Sequence, residues 1–176
     1  MTGLAEKIVA IHLDLDTAKL PHAFGGALAL AWCTLQARGT NDIDVNVFVE
    51  TARASEVLDA LPSDVAFVDR DRATIERDGQ VRLFWDTTPV DLFLNTTDFH
   101  EQAATRARQQ DFGGVRVPFL SCLDLAVFKA FFNRTRDWAD LEDMVAAGTL
   151  DVDHVVGILT RYRGTDDERI ERLLSL

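Results

Sequence analysis

Residues 42–49 read Asp-Ile-Asp-Val-Asn-Val-Phe-Val. Strand side chains alternate between faces, so Ile43, Val45, Val47 and Val49 point one way and Asp42, Asp44, Asn46 and Phe48 the other. A strand this apolar belongs inside a sheet, and period two sets both carboxylates side by side on one face. Upstream stand Gly25-Gly26 and the apolar run 27–37, ALALAWCTLQA. The glycine pair lets the backbone take positive φ and approach a ligand closely. A helix starting there aims free amides and a positive dipole end at whatever binds. Two close, covered carboxylates repel unless a cation neutralises them. Mg²⁺ suits them, because it prefers carboxylates plus substrate phosphates. The competing reading is a solvated strand face.

The remainder of the chain is read as support for this stretch. Its 176 residues, 47% of them hydrophobic with 11 Phe and 3 Trp, supply an ample core for one domain with a helical appendage. No apolar run approaches the ~18 residues of a membrane span. The opening MTGLAEKIVAIHLDLD carries acids through its apolar part and no small-residue cleavage site, so a cytoplasmic protein without a secretory signal is expected. A net charge of −11 counts against broad duplex DNA binding, which depends on Lys and Arg contacts to phosphate. Cys33 and Cys122 lie in apolar helical runs and are read as buried free thiols, with a disulfide as the less motivated alternative.

In order, the pattern predicts an amphipathic helix over 4–18, a helix over 27–37, the strand 42–49, a helix over 52–61 and a short strand 65–68. Asp69–Arg72 reads as a charged turn, and Asp78-Gly79 as a hairpin turn between Ala73–Arg77 and Gln80–Trp85. A strand over 89–95, a polar helix over 98–109 and a short hairpin or strand over 111–118 follow. Ser121 then caps an apolar helix, with Asp124 at its N3 position. A second helix starts near Thr135 and ends at Gly148, and two short helices over 151–161 and 166–175 close the chain. The expected class is α+β: a mixed sheet flanked by helices over 1–118, with a helical C-terminal subdomain over 119–176.

Further residues carry chemistry. Asp91, in the apolar strand Val-Asp-Leu-Phe-Leu, is expected beside Asp42 and Asp44 on an adjacent antiparallel strand. Three acids on neighbouring strands suit two-metal phosphoryl transfer, with the third activating the attacking hydroxyl; the alternative is a structural Asp at a strand entry. Lys129 stands in the apolar helix AVFKAFF as the only Lys of the second half. It is either a snorkelling surface side chain or a point charge for a triphosphate. Asp137 follows as a residue to orient Lys129 or a neighbouring Arg. The four histidines show no ligand spacing for zinc.

The run F-G-G-A-L-A-L-x₇-R-G-T-N-D-I-D-V resembles the opening signature of the nucleotidyltransferase superfamily with the polymerase-β-like fold. Within it, R-x-T-x-D-I-D at Arg38–Asp44 and K-A-F-F-N-R-T-R-D-W-A-D-L at Lys129–Leu141 resemble the AbiEii-type proteins, which include MenT-like toxins of type IV toxin–antitoxin systems. The resemblance implies that Gly25, Gly26 and Ala27, with Arg38 and Thr40, bind the nucleotide. It implies that Asp42, Asp44 and Asp91 hold Mg²⁺ or Mn²⁺, that Lys129 contacts the triphosphate, and that Asp137 is the acid of an R-D-x-x-D-L segment. Many relatives carry Ser or Thr after the glycines, where this chain has Ala27, so phosphate there rests on backbone amides.

The expected function is transfer of NMP from an NTP, ATP among them, to a hydroxyl of a tRNA or protein acceptor, as a toxin with a cognate antitoxin. Two alternatives stand beside it: a non-catalytic nucleotide-binding or partner-binding module of the same fold, and an aminoglycoside-type antibiotic nucleotidyltransferase. The acidic charge leans towards protein or small-molecule acceptors, although Arg106, Arg108, Arg116, Lys129, Arg134 and Arg136 could line a groove for an RNA end.

Overall fold

A computed structural model of the chain describes residues 3–37 and 39–176. The described residues form nine α-helices and one seven-stranded mixed sheet, so the α+β expectation holds. They divide into two compact units. One contains the residues up to Gly26 together with Gly39–Leu120; the other contains residues 27–37 together with Ser121–Leu176.

The first unit is the sheet and its helices: α1 (Leu4–Thr17), β1 (His22–Phe24), β2 (Ile43–Glu50), α3 (Ala54–Asp59), β3 (Val65–Ala66), α4 (Asp69–Asp78), β4 (Gln80–Trp85), β5 (Thr88–Asn95), α5 (Phe99–Arg106), β6 (Arg108–Phe112) and β7 (Val115–Phe119). The strand order is β3-β4-β5-β2-β1-β7-β6. β2 is central and its alternation is as read: Ile43, Val45 and Val47 are fully buried, and Asp44 stands on the more open face. β4 and β5 repeat the pattern. Val81, Leu83, Val90, Leu92 and Leu94 are buried, while Arg82, Asp91 and Phe93 share the other face.

Three expectations change here. Asp69–Asp78 is a helix, not a turn and a strand. Asp69 and Asp71 suit its positive N-terminal end, and Gly79 closes it in the left-handed region at φ 69°. The Gly79 amide donates to the Ile75 carbonyl at 2.9 Å, so this Asp-Gly serves a helix end rather than a hairpin, and a Cβ on Gly79 would crowd Thr96 Cγ2. β5 runs parallel to β2, not antiparallel, because α3, β3, α4 and β4 intervene and make β4 the antiparallel partner. The predicted helix over 98–109 stops at Arg106, and residues 108–112 pair with β7 as an edge strand. The short strand β1 was not expected; it pairs with β2 on one side and β7 on the other.

His22 on β1 forms a buried pair with His12 on α1. His22 Nδ1 lies 2.7 Å from the Leu20 carbonyl, so that nitrogen holds the proton. His22 Nε2 then accepts from His12 Nδ1 at 2.9 Å. Burial lowers the affinity of both rings, and of His100, for a proton. The folded values lie below the ordinary value of 6.5. The unfolded chain therefore binds more protons, and the stability these rings contribute is full above about pH 6.5 and is lost as pH falls below it. Thermal melts between pH 7.5 and 5.5 should fall, by up to about 1.4 kcal/mol per pH unit for each proton taken up. His22→Gln should flatten that slope; an unchanged slope would assign it to other groups.

The second unit contains α2 (Gly26–Thr34) from its second residue onward, α6 (Cys122–Phe132), α7 (Thr135–Ala146), α8 (Val152–Arg163) and α9 (Glu168–Leu174). α6 packs on α7 and α8, and α8 on α9. Ser121 caps α6 by accepting from the Asp124 amide at 3.1 Å, as its sequence predicts. Cys33 and Cys122 are joined in a disulfide between α2 and α6, not free thiols. Each sits in an unremarkable apolar run, and only the packing of two helices 89 residues apart brings them together. No helix among the described residues is long and apolar enough to cross a membrane.

Candidate functional site

The first unit gathers four sequence-distant residues into one row across four neighbouring positions of the sheet. Arg82 on β4 is the register partner of Asp91 on β5, and Asp91 is the register partner of Asp44 on β2. Asp44 in turn accepts, through its carbonyl, the amide of Gly25 at 2.9 Å, just beyond β1. Asp42 stands two residues before Asp44. Its amide donates to Thr40 Oγ1 at 3.2 Å, so Thr40 fixes the chain entering β2.

Gly26 closes the row. Its φ is +56°, and a Cβ placed on it would lie 1.9 Å from Asp44 Oδ2. Backbone conformation and space therefore both require glycine. The Asp44 carboxylate is tucked against bare backbone at the point where α2 begins. Gly26→Ala should displace that carboxylate and strain the turn, costing about 1–3 kcal/mol of stability. A melt within half a degree of wild type would show that the turn relaxes instead.

Arg82 forks onto Asp91, with Nε 2.8 Å from Oδ1 and a terminal nitrogen 2.7 Å from Oδ2. The same terminal nitrogen is 3.9 Å from Asp42 Oδ2. The hydrogen bond to Asp91, helped by the charges of Asp91, Asp42 and Asp44, raises the guanidinium further above its ordinary range. The Asp91 side chain is 15% exposed, against 45% for Asp42 and 53% for Arg82. The cluster thus opens to solvent on the Asp42 and Arg82 side.

No group of three His, Cys, Asp or Glu side chains among the described residues is disposed to hold a metal ion as it stands. The donor set nevertheless fits a hard divalent cation at Asp42 and Asp44. Both are hard oxygen donors, Asp44 on β2 and Asp42 two residues before it, and such a cation takes carboxylates together with substrate phosphates. Both oxygens of Asp91 are engaged by Arg82.

The remaining expected residues belong to the second unit or fall outside the described residues. Ala27 is the second residue of α2, and Arg38 falls outside the described residues. In the second unit Lys129 is neither on the surface nor unpartnered. It is 6% exposed, with Nζ 2.5 Å from Asp140 Oδ2 and 3.7 Å from Asp137 Oδ1. Arg134 also holds Asp137, at 2.7 Å, and the Trp138 indole donates to Asn133. Sequence reading missed Arg82 and Asp140. Arg82 would follow from the alternation of QVRLFW once that strand is known to neighbour β5. Asp140 would follow from its place three residues after Asp137, on the same side of α7.

No family model matches the chain, and no curated protein matches its sequence significantly. Solved structures do match. The antibiotic-resistance factor ANT(2'')-Ia superposes with a TM-score of 0.62 at 17% identity, covering 90% of this chain and 90% of that one. The lincosamide antibiotic adenylyltransferase LnuA gives 0.52 at 14% identity, covering 81% of this chain and 97% of that one. An antigenic nucleotidyltransferase-like protein from Paracoccidioides brasiliensis gives 0.52 at 15% identity, covering 96% and 85%. The AbiEii and MenT-like subfamily has no counterpart among these structures. At such identities the likeness is one of architecture, and it establishes that this chain is built on the nucleotidyltransferase fold.

Proposed function

We propose that this protein is a nucleotidyltransferase that moves NMP from an NTP to an acceptor hydroxyl and releases pyrophosphate. The observation that carries the reading is the row Arg82–Asp91–Asp44–Gly25, with Asp42 beside it. It sets three carboxylates against a glycine turn at the start of a helix. Asp42 and Asp44 would hold Mg²⁺ or Mn²⁺, which supplies charge neutralisation for the phosphates when bound. Asp91, on the neighbouring strand, is the group to receive the acceptor's proton. Gly26 keeps side chains away from Asp44, and phosphate binding by the Gly26 and Ala27 backbone needs no hydroxyl at position 27. Thr40 positions Asp42 through its amide. Lys129 and Asp137 carry a proposed nucleotide role that requires Lys129 to exchange a carboxylate for a phosphate.

For the acceptor, a cationic small molecule is favoured. The fold likeness to ANT(2'')-Ia spans nine-tenths of both chains, and another structure of that protein holds adenylyl-2''-tobramycin. A net charge of −11 attracts such a polycation and repels RNA. The motif resemblance at Arg38–Asp44 and Lys129–Leu141 supports the second reading, a tRNA or protein hydroxyl and a cognate antitoxin. Each α-labelled NTP is incubated with the protein and Mg²⁺, with an aminoglycoside and lincosamide panel, total tRNA, or lysate protein. Label in the antibiotic fraction supports the first acceptor, and label in RNA or protein the second. Label in none, with NTP still bound, would make the chain a binding module.

A further inference from the structure

Arg82 contacts two acids of the cluster, and it holds the Asp91 carboxylate, 15% exposed, by both oxygens. Its terminal nitrogen reaches towards Asp42 as well. A guanidinium fork matches a carboxylate in plane and charge and is among the stronger surface pairings. It also occupies the lone pairs of Asp91 that a divalent ion near Asp44 would approach. A doubly charged ion and a guanidinium this close repel, so the two compete for the same carboxylates. The Arg82 side chain is 53% exposed and stands on the open face of β4, so it can swing away without repacking the core.

We propose that Arg82 is a resident counter-cation of Asp91 and Asp42, and that a divalent cation binding at Asp42 and Asp44 displaces its fork from Asp91. The proposal rests on reading those acids as a metal site. Arg82 is thus a positioning residue. It offsets the charges of Asp91 and Asp42 while no metal is bound, and it sets the metal concentration at which Asp91 is released.

The test uses the full chain without nucleotide. Mn²⁺ is titrated into wild type, Arg82→Gln and Arg82→Lys, with free Mn²⁺ read by electron paramagnetic resonance. Thermal melts are run in EDTA and in saturating Mn²⁺. Arg82→Gln should bind Mn²⁺ on the order of fivefold tighter, the effect of removing about one ion pair at a half-exposed site. It should melt below wild type in EDTA and recover that loss in Mn²⁺. Arg82→Lys, which keeps the charge without the fork, should fall between the two and stands in if the glutamine variant does not fold. Equal or weaker Mn²⁺ binding by the variants overturns the proposal and leaves the metal site standing. If no variant and no wild-type protein binds Mn²⁺, the metal reading falls, and the counter-cation role with it.

Discussion

Asp44→Asn should cut nucleotidyl transfer on the order of a thousandfold while the protein still folds. Asp44 is the centre of the row: Asp91 on β5 is its register partner, Gly25 donates to its carbonyl, and bare Gly26 backbone faces its carboxylate. Asparagine keeps the shape and leaves the β2 backbone unchanged, so the sheet has no reason to open. What disappears is one negative charge at the point where phosphate charge must be neutralised. Removing a single preorganised electrostatic group from a site costs about 10²–10³ in turnover, and a metal-holding carboxylate belongs at the upper end. Stability should hold or rise slightly, since one of three like charges is gone. Initial rates with labelled NTP and melts of the same preparations check both halves. Transfer within tenfold of wild type would remove Asp44 from the chemistry.

Lys129→Met should be the most destabilising single change in the helical unit. The lysine is the internal cation for Asp137 and Asp140, which are 2% and 1% exposed. Breaking a buried pair by removing one partner costs about 3–5 kcal/mol, because a charge stays behind without compensation. In a chain of this length that is on the order of 10 °C in melting temperature. Asp137 retains Arg134, and the shorter of the two Lys129 contacts is the one to Asp140. Lys129→Met with Asp140→Leu should therefore recover most of the loss, because an apolar pair replaces an ion pair without an orphan charge. The double variant also separates two roles. If Lys129 serves the triphosphate as well, the stable double variant should show a raised KM for NTP. If it serves only the helices, KM stays at the wild-type value.

Much of the architecture was legible because its signals are local. The alternation in residues 42–49 marks β2 and the face of both acids, and Ser121 with Asp124 marks the start of α6. Asp69–Asp78 was misread because a charged run and Asp-Gly suit a turn as well as a helix with a glycine cap. Only the folded chain, in which the Gly79 amide closes the helix on the Ile75 carbonyl, separates the two.

The chain's own order of residues determined that a glycine turn, a helix and an acid-bearing strand follow one another. Periodicity and backbone freedom act over a few residues, so they can be read directly. Tertiary structure alone decided that β5 lies parallel to β2 with Asp91 opposite Asp44, that Arg82 occupies Asp91, that Cys33 meets Cys122, and that Lys129 is locked between two carboxylates. These pairings join positions distant in sequence, and they form only because separate apolar faces must be buried together. The charges they bring into contact have no signature along the chain.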